Sequence, residues 1–227
     1  MFTKDPGKEF PAKQKEILKV LLEAPLQQKD LAARVGISGA GLFYHIGILE
    51  EARLIVRKTL AEVGNVSLKE VSIHPNAVQR ARDITGTSRE RHTLVCAFGK
   101  DTADFGESST MPATAKKLLQ RDGYKIDRIV AFITPDSSLA NAKKLVTIDK
   151  VILYPYLDYR NDDSPLMQSL ARIIQDEQKE ADVLIDVTGL SKLLTIRLME
   201  LSTNYGIPCF YLGKKSDGTD FLLWLNR

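Results

Sequence analysis

From residue 92 onward the chain alternates apolar runs of strand length with stretches of helical periodicity, and no other feature narrows the choice of fold so far. "HTLVCAFG", "KIDRIVAFITP", "KVILYPYL", "ADVLIDVTG" and "IPCFYLG" are nearly unbroken apolar runs; "PATAKKLLQRDG", "SSLANAKKLV", "SPLMQSLARIIQDEQKE" and "SKLLTIRLMELSTNYG" lie between them as helices. A strand without polar alternation meets water on neither face, which requires a parallel sheet covered by helices on both sides. The expected class is α/β, a Rossmann-like doubly wound sheet over 92–227. Beyond a turn at "KKSDGTD", the segment "FLLWLN" closes a terminal β-hairpin and adds an antiparallel edge strand. Right-handed crossovers bring the strand-to-helix loops to one edge, where such sheets bind ligands.

The front of the chain follows other periodicities. "PAKQKEILKVLLEAP" sets Ile17, Val20, Leu21 and Ala24 at helical spacing and stops at Pro25; "LQQKDLAARVG" predicts a second helix with Leu31, Ala32 and Val35 inward, ended by Gly36. Ser38 then caps a third helix, "SGAGLFYHIGILEEARL", with Leu42, Ile46 and Leu49 inward. "LIVRKTL" and "VSLKEVSI" read as two strands around a turn at "EVGN". This is the order of a winged helix-turn-helix. The expected division is a winged helix over 10–75, a linker over 76–91 containing at most a short helix, and the sheet domain over 92–227.

The segment "DLAARVGISGAGLFYHIGILEEARLI" resembles the recognition region of ArsR-like winged-helix regulators, and the resemblance implies binding to double-stranded DNA. Lys29, Ser38, Gly39, Ala40, Phe43, Tyr44, Arg57 and Lys58 are the candidate contacts. The outward residues Gly39, Ala40, Gly41, Phe43, Tyr44 and Gly47 include none of the Arg, Lys, Asn or Gln that read base edges by paired hydrogen bonds. Phosphate contacts would fall to Lys29, Arg34, Arg53, Arg57 and Lys58, which position without specifying. Phe43 and Tyr44 either touch thymine methyls and sugars or pack against another protein surface. His45 reads as a structural residue.

Two loops at the ligand edge of the sheet carry the remaining signal. The loop over 98–111, "FGKDTADFGESSTM", is long, polar and free of GxGxxG, which disfavours a simple NAD enzyme. Gly99, Lys100, Asp101 and Thr102 open it. The second loop interrupts two apolar runs with Asp186, Thr188, Gly189, Leu190, Ser191 and Lys192. N–H groups at a helix N-terminus together with a lysine suit an anion, while Thr188 and Ser191 also serve as plain helix caps. "LIDVTGLSKLLTIRLMELSTNYGIPCFYL" resembles the strand-turn-helix of CRISPR-associated Rossmann fold (CARF) domains, departing from it at Leu190, where that family commonly has a second glycine. The resemblance implies a cyclic oligoadenylate as ligand, bound across a homodimer by both loops. It also suggests a CRISPR-associated transcription regulator of the archaeal type, although that family places its sensor first and its winged helix last.

Charge agrees with this division. Residues 1–82 hold 13 Lys/Arg against 9 Asp/Glu and the remainder 19 against 20, a modest basic bias at the front. Cys96 and Cys209 stand in apolar runs without partners at metal-ligand spacing and read as buried thiols. No signal peptide or membrane-length apolar run is visible, so the expectation is a cytoplasmic protein. No cofactor, metal or catalytic residue is expected. The alternatives to a ligand-responsive regulator are a CARF-type ring nuclease, for which neither loop supplies a His as general base, and a winged-helix regulator of another anionic metabolite.

Overall fold

The computed structural model describes residues 10–63, 66–102, 108–153, 165–189 and 192–226. The chain divides into two compact units, Met1–Ser88 and Arg89–Arg227.

In the front unit three helices, α1 (Ala12–Glu23), α2 (Gln28–Val35) and α3 (Gly39–Glu51), bury Ile17, Leu18, Leu21, Leu31, Val35, Leu42, Ile46 and Leu49. In α1 the buried stripe takes Leu18, whereas Val20 is only partly covered and Ala24, the C-cap, is exposed. Gly36 ends α2 with φ of 67°, a conformation glycine adopts at no steric cost. The Ser38 hydroxyl accepts from Gly41 N–H at 3.1 Å and starts α3. The strand β1 (Leu26–Gln27) takes the first two residues of the segment expected as the second helix, which begins only at Gln28. It pairs with β3 (Val66–Ile73), which also pairs with β2 (Ile55–Val63), in the sheet order β1-β3-β2.

Residues 76–91 are not simply a linker. A 3-10 turn at Pro75–Ala77 runs into α4 (Val78–Thr85), which packs on α1 and buries Gln79, Ala81, Arg82 and Thr85. Its composition is polar, and the partners that bury those side chains lie some sixty residues earlier in the chain. Local periodicity therefore undersells it.

The second unit holds a six-stranded sheet with the order β6-β5-β4-β7-β8-β9: β4 (Arg91–Phe98), β5 (Lys125–Ile133), β6 (Lys150–Leu153), β7 (Asp182–Asp186), β8 (Cys209–Lys214) and β9 (Asp220–Asn226). Strands β4 to β8 pair in parallel and β9 pairs antiparallel with β8, as the apolar runs and the terminal hairpin require. Helices α5 (Met111–Arg121), α6 (Leu139–Leu145), α7 (Pro165–Glu180) and α8 (Lys192–Tyr205) alternate with the strands. One core, around Val95, Val130, Ile185, Ile174, Leu194 and Leu198, lies under α7 and α8; the other, around Leu94, Cys96, Ile129, Leu119 and Ala142, lies under α5 and α6.

The chain moves outward in one direction from β4 through β5 to β6, then returns to set β7 on the other side of β4. The switch point of the doubly wound sheet is thus between β4 and β7, and the crevice beyond their carboxyl ends is where such sheets take ligands. Both loops singled out in the sequence leave from those two strands.

Candidate DNA-binding face and ligand edge

The outward side of α3 is unusually apolar for a solvent face. Phe43 and Tyr44 are 63% and 65% exposed. His45 behind them is partly buried and meets the Tyr44 ring edge-on at 5.4 Å. Of the candidate phosphate contacts, Arg34 is paired with Glu23, and Arg57 with Glu50. Lys29 and Lys58 are exposed, and neither makes an ion pair among the described residues. Lys29 stands on the rim of a cavity of ≈ 300 Å³ between α2 and α3, lined also by Gln28, Ala32, Gly39, Leu42 and Phe43. Gly39 and Ala40 are exposed in the first turn of α3.

At the switch-point edge of the sheet the second loop meets the end of β4. Gly189 lies so close to the end of β4 that a Cβ there would fall 2.0 Å from the Ala97 carbonyl oxygen and 3.0 Å from Phe98 Cα. Only glycine lets the backbones approach in this way. Just before it, Thr188 is a junction: its N–H and hydroxyl donate to Asp186 Oδ1 at 2.9 and 2.5 Å, and its hydroxyl accepts from Leu212 N–H at 2.7 Å. The parallel ladder between β7 and β8 runs out at Asp186, and the Thr188 hydroxyl replaces the next carbonyl as an acceptor for β8.

Asp186 is 1% exposed, and its Oδ2 has no hydrogen-bond partner among the described residues. Burial raises its carboxyl to about 6, against the lowering effect of the two bonds from Thr188. The buried Cys96 thiol is pushed well above its ordinary value by burial and by the charge of Asp186.

The first loop is pinned at both ends. The Gly99 N–H donates to Ser108 Oγ at 2.9 Å, and the Gly99 carbonyl accepts from Ser138 N–H at 3.1 Å. Asp101 accepts from the Ser109 N–H at 2.7 Å, the Ser109 hydroxyl at 2.8 Å and Asn141 Nδ2 at 3.0 Å, which holds its carboxyl below the usual range; its own N–H donates to Ser138 Oγ. Lys100 is exposed and Thr102 partly buried. Residues 103–107, Leu190 and Ser191 lie outside the described residues, and α8 begins at Lys192.

The described contacts of Asp101, Thr188 and Gly189 thus tie the two loops to the sheet and to the helix starts beside them. Ser109, Ser138 and Asn141, which hold Asp101, and Leu212, which bonds Thr188, are not among the site residues expected from the sequence. The only signal for them is a pair of serines before each of α5 and α6. Among the described residues no group of His, Cys, Asp and Glu is arranged to hold a metal ion, and no single helix is long and apolar enough to cross a membrane.

Residues 12–56 match the family of winged helix-turn-helix DNA-binding domains. The front unit is a DNA-binding winged helix. No curated protein matches the chain. Among solved structures, the chain is similar to a zinc-responsive MarR family member, ZitR of Lactococcus lactis. The identity is 16%, covering 38% of this chain and 58% of that one, at a TM-score of 0.30. ZitR in complex with DNA gives 19% identity over 38% and 57% at 0.28. This chain spans 53–58% of the length of the ZitR chains it matches. Csm6 of Enterococcus italicus, bound to cyclic hexa-2'-fluoro-hexa-dAMP, gives 12% identity over 57% of this chain and 35% of that one at 0.41.

Proposed function

We propose that this protein is a homodimeric transcription regulator, in which the winged helices bind a two-fold DNA site and the α/β domain senses an anionic nucleotide of the cyclic oligoadenylate class. The DNA half rests on the winged helix with its exposed α3 face and on Lys29 and Lys58, exposed cations that make no ion pair among the described residues. A C2 dimer matches a palindromic operator.

The single observation that supports sensing is the close approach of the second polar loop to the end of β4, the strand from which the first polar loop leaves: Gly189 rests on the β4 backbone at the switch point. The ligand class comes from the resemblance of the "DVTGLSKLL" stretch to CARF domains. Lys100 and Lys192, from the two loops, are assigned the phosphate charge, and Ser191 with the first N–H groups of α8 the phosphate oxygens. A ligand changes DNA affinity only through unequal binding to two arrangements of the dimer.

Isothermal calorimetry of the full chain against cyclic tetra- and hexa-adenylate tests the sensing half. Saturable heat with one ring size, accompanied by a change in DNA affinity, is expected; no heat with either from a folded protein overturns the ligand class. DNA binding is tested separately, by enrichment of duplexes from a random library.

A further inference from the structure

The outward face of α3 has no side chain that reads a base through paired hydrogen bonds, so sequence recognition there requires another kind of contact. Phe43 is the candidate, because its ring is exposed and yet held. The Arg57 guanidinium, from β2, lies 5.4 Å from the centroid of the ring. Arg57 is itself fixed: its Nε donates to Glu50 Oε1 at 3.1 Å, and its Nη2 donates to Glu50 Oε2. Glu50 stands seven residues after Phe43, two turns along the same helix. A carboxylate that grips the planar fork orients it, and the oriented plane fixes the aromatic ring by a cation–π contact.

The surroundings of the ring agree. Gly39 and Gly47, one turn to either side of Phe43, would each accept a Cβ with nothing within 4 Å, so the fold itself does not demand glycine there. Glycine inside a helix costs roughly 1 kcal/mol relative to alanine. Both leave the α3 backbone bare beside the ring. A fixed aromatic edge on such a helix can distinguish one base feature in the major groove without hydrogen bonding, the C5-methyl of thymine.

We infer that Phe43 is a specificity-determining residue that touches a thymine methyl, and that Arg57, locked by Glu50, is its positioning residue and not a phosphate contact. The inference rests on the DNA-binding reading above.

The test uses the full chain and the duplex it enriches from a random library. Each thymine in turn is replaced by deoxyuridine, which removes only the methyl. At one position per half-site this should weaken binding about four-fold, the equivalent of one buried methylene. Phe43→Ala should bind the two duplexes equally while melting like the native protein. Glu50→Gln should reduce the thymine preference and leave the salt dependence unchanged. If Arg57 instead contacts phosphate, Glu50→Gln will tighten binding to every duplex, steepen the salt dependence and keep the preference, which overturns the positioning role. Equal binding of thymine and deoxyuridine duplexes by the native chain at every position overturns the methyl contact while DNA binding stands. Failure to enrich any duplex removes the DNA-binding reading, and the inference with it.

Discussion

Gly189 carries its hydrogen where any other residue would drive a Cβ to 2.0 Å from the carbonyl oxygen of Ala97. The loop after β7 is thereby laid directly on the end of β4, and the two halves of the doubly wound sheet close against each other at their switch point.

Gly189→Ala should therefore be costly for a steric reason alone, because its φ is not in the left-handed region. The obstructing atoms are backbone, so the loop must lift. We expect a loss of about 1–3 kcal/mol in urea unfolding, with weaker ligand binding in calorimetry.

Thr188 makes a separate prediction. Thr188→Val leaves Leu212 N–H and Asp186 Oδ1 without the hydroxyl that serves both. A loss of about 1–3 kcal/mol is expected from the stranded Leu212 N–H, while Asp186 Oδ1 keeps its bond from the backbone N–H of residue 188, and Thr188→Ser should restore most of the loss. Equal stability of the Val and Ser variants in chemical denaturation would show that the hydroxyl junction contributes nothing.

The buried carboxyl sets a pH dependence with a definite sign. Because the folded value for Asp186 is about 6 and its ordinary value is 3.8, the folded state holds the proton more tightly. Its contribution to stability is therefore greatest below about 4 and falls as pH rises from about 4 to about 6, by up to roughly 3 kcal/mol. Asp101 acts in the opposite sense and in another window: its lowered carboxyl stabilises above its ordinary value of 3.8 and loses that contribution as pH falls below it. Melting curves of native protein and Asp186→Asn between pH 4.5 and 7.5 should diverge toward neutral pH, with the variant the more stable there. Parallel curves would rule out the linkage.

On the winged helix, cations differ in what they are free to do. Lys29→Ala and Lys58→Ala should each flatten the plot of log affinity against log salt by about one unit, whereas Arg34→Ala, whose guanidinium is paired with Glu23, should leave the slope unchanged. Affinities measured across a salt series decide between these outcomes.

Much of this architecture is legible in the residues themselves. Apolar runs without polar alternation dictate buried parallel strands, and Gly36 followed by Ser38 dictates the break and restart between α2 and α3, because a left-handed glycine and a hydroxyl cap act within a few residues of chain. A short helix before Gly86 was legible, but its packing was not, since the side chains α4 buries find their partners on α1. Nor was the pairing of Arg57 with Glu50, which depends on how β2 lies along α3. Strand order is likewise silent in local pattern: a right-handed crossover fits either side of β4, and only packing of the whole sheet placed β7 there. By itself the sequence determined which of the longer segments are helix or strand, most of the positions they bury, and that two polar loops leave one edge of the sheet. The tertiary structure alone decided that the loop after β7 touches the end of β4, through Gly189 on Ala97, and that Thr188 bonds Leu212 while Asp101 bonds Ser109 and Asn141. Gly189 and Ala97 stand 92 residues apart in the chain, Asp101 and Asn141 40, and Thr188 and Leu212 24, and no local preference encodes a close approach between segments so far removed.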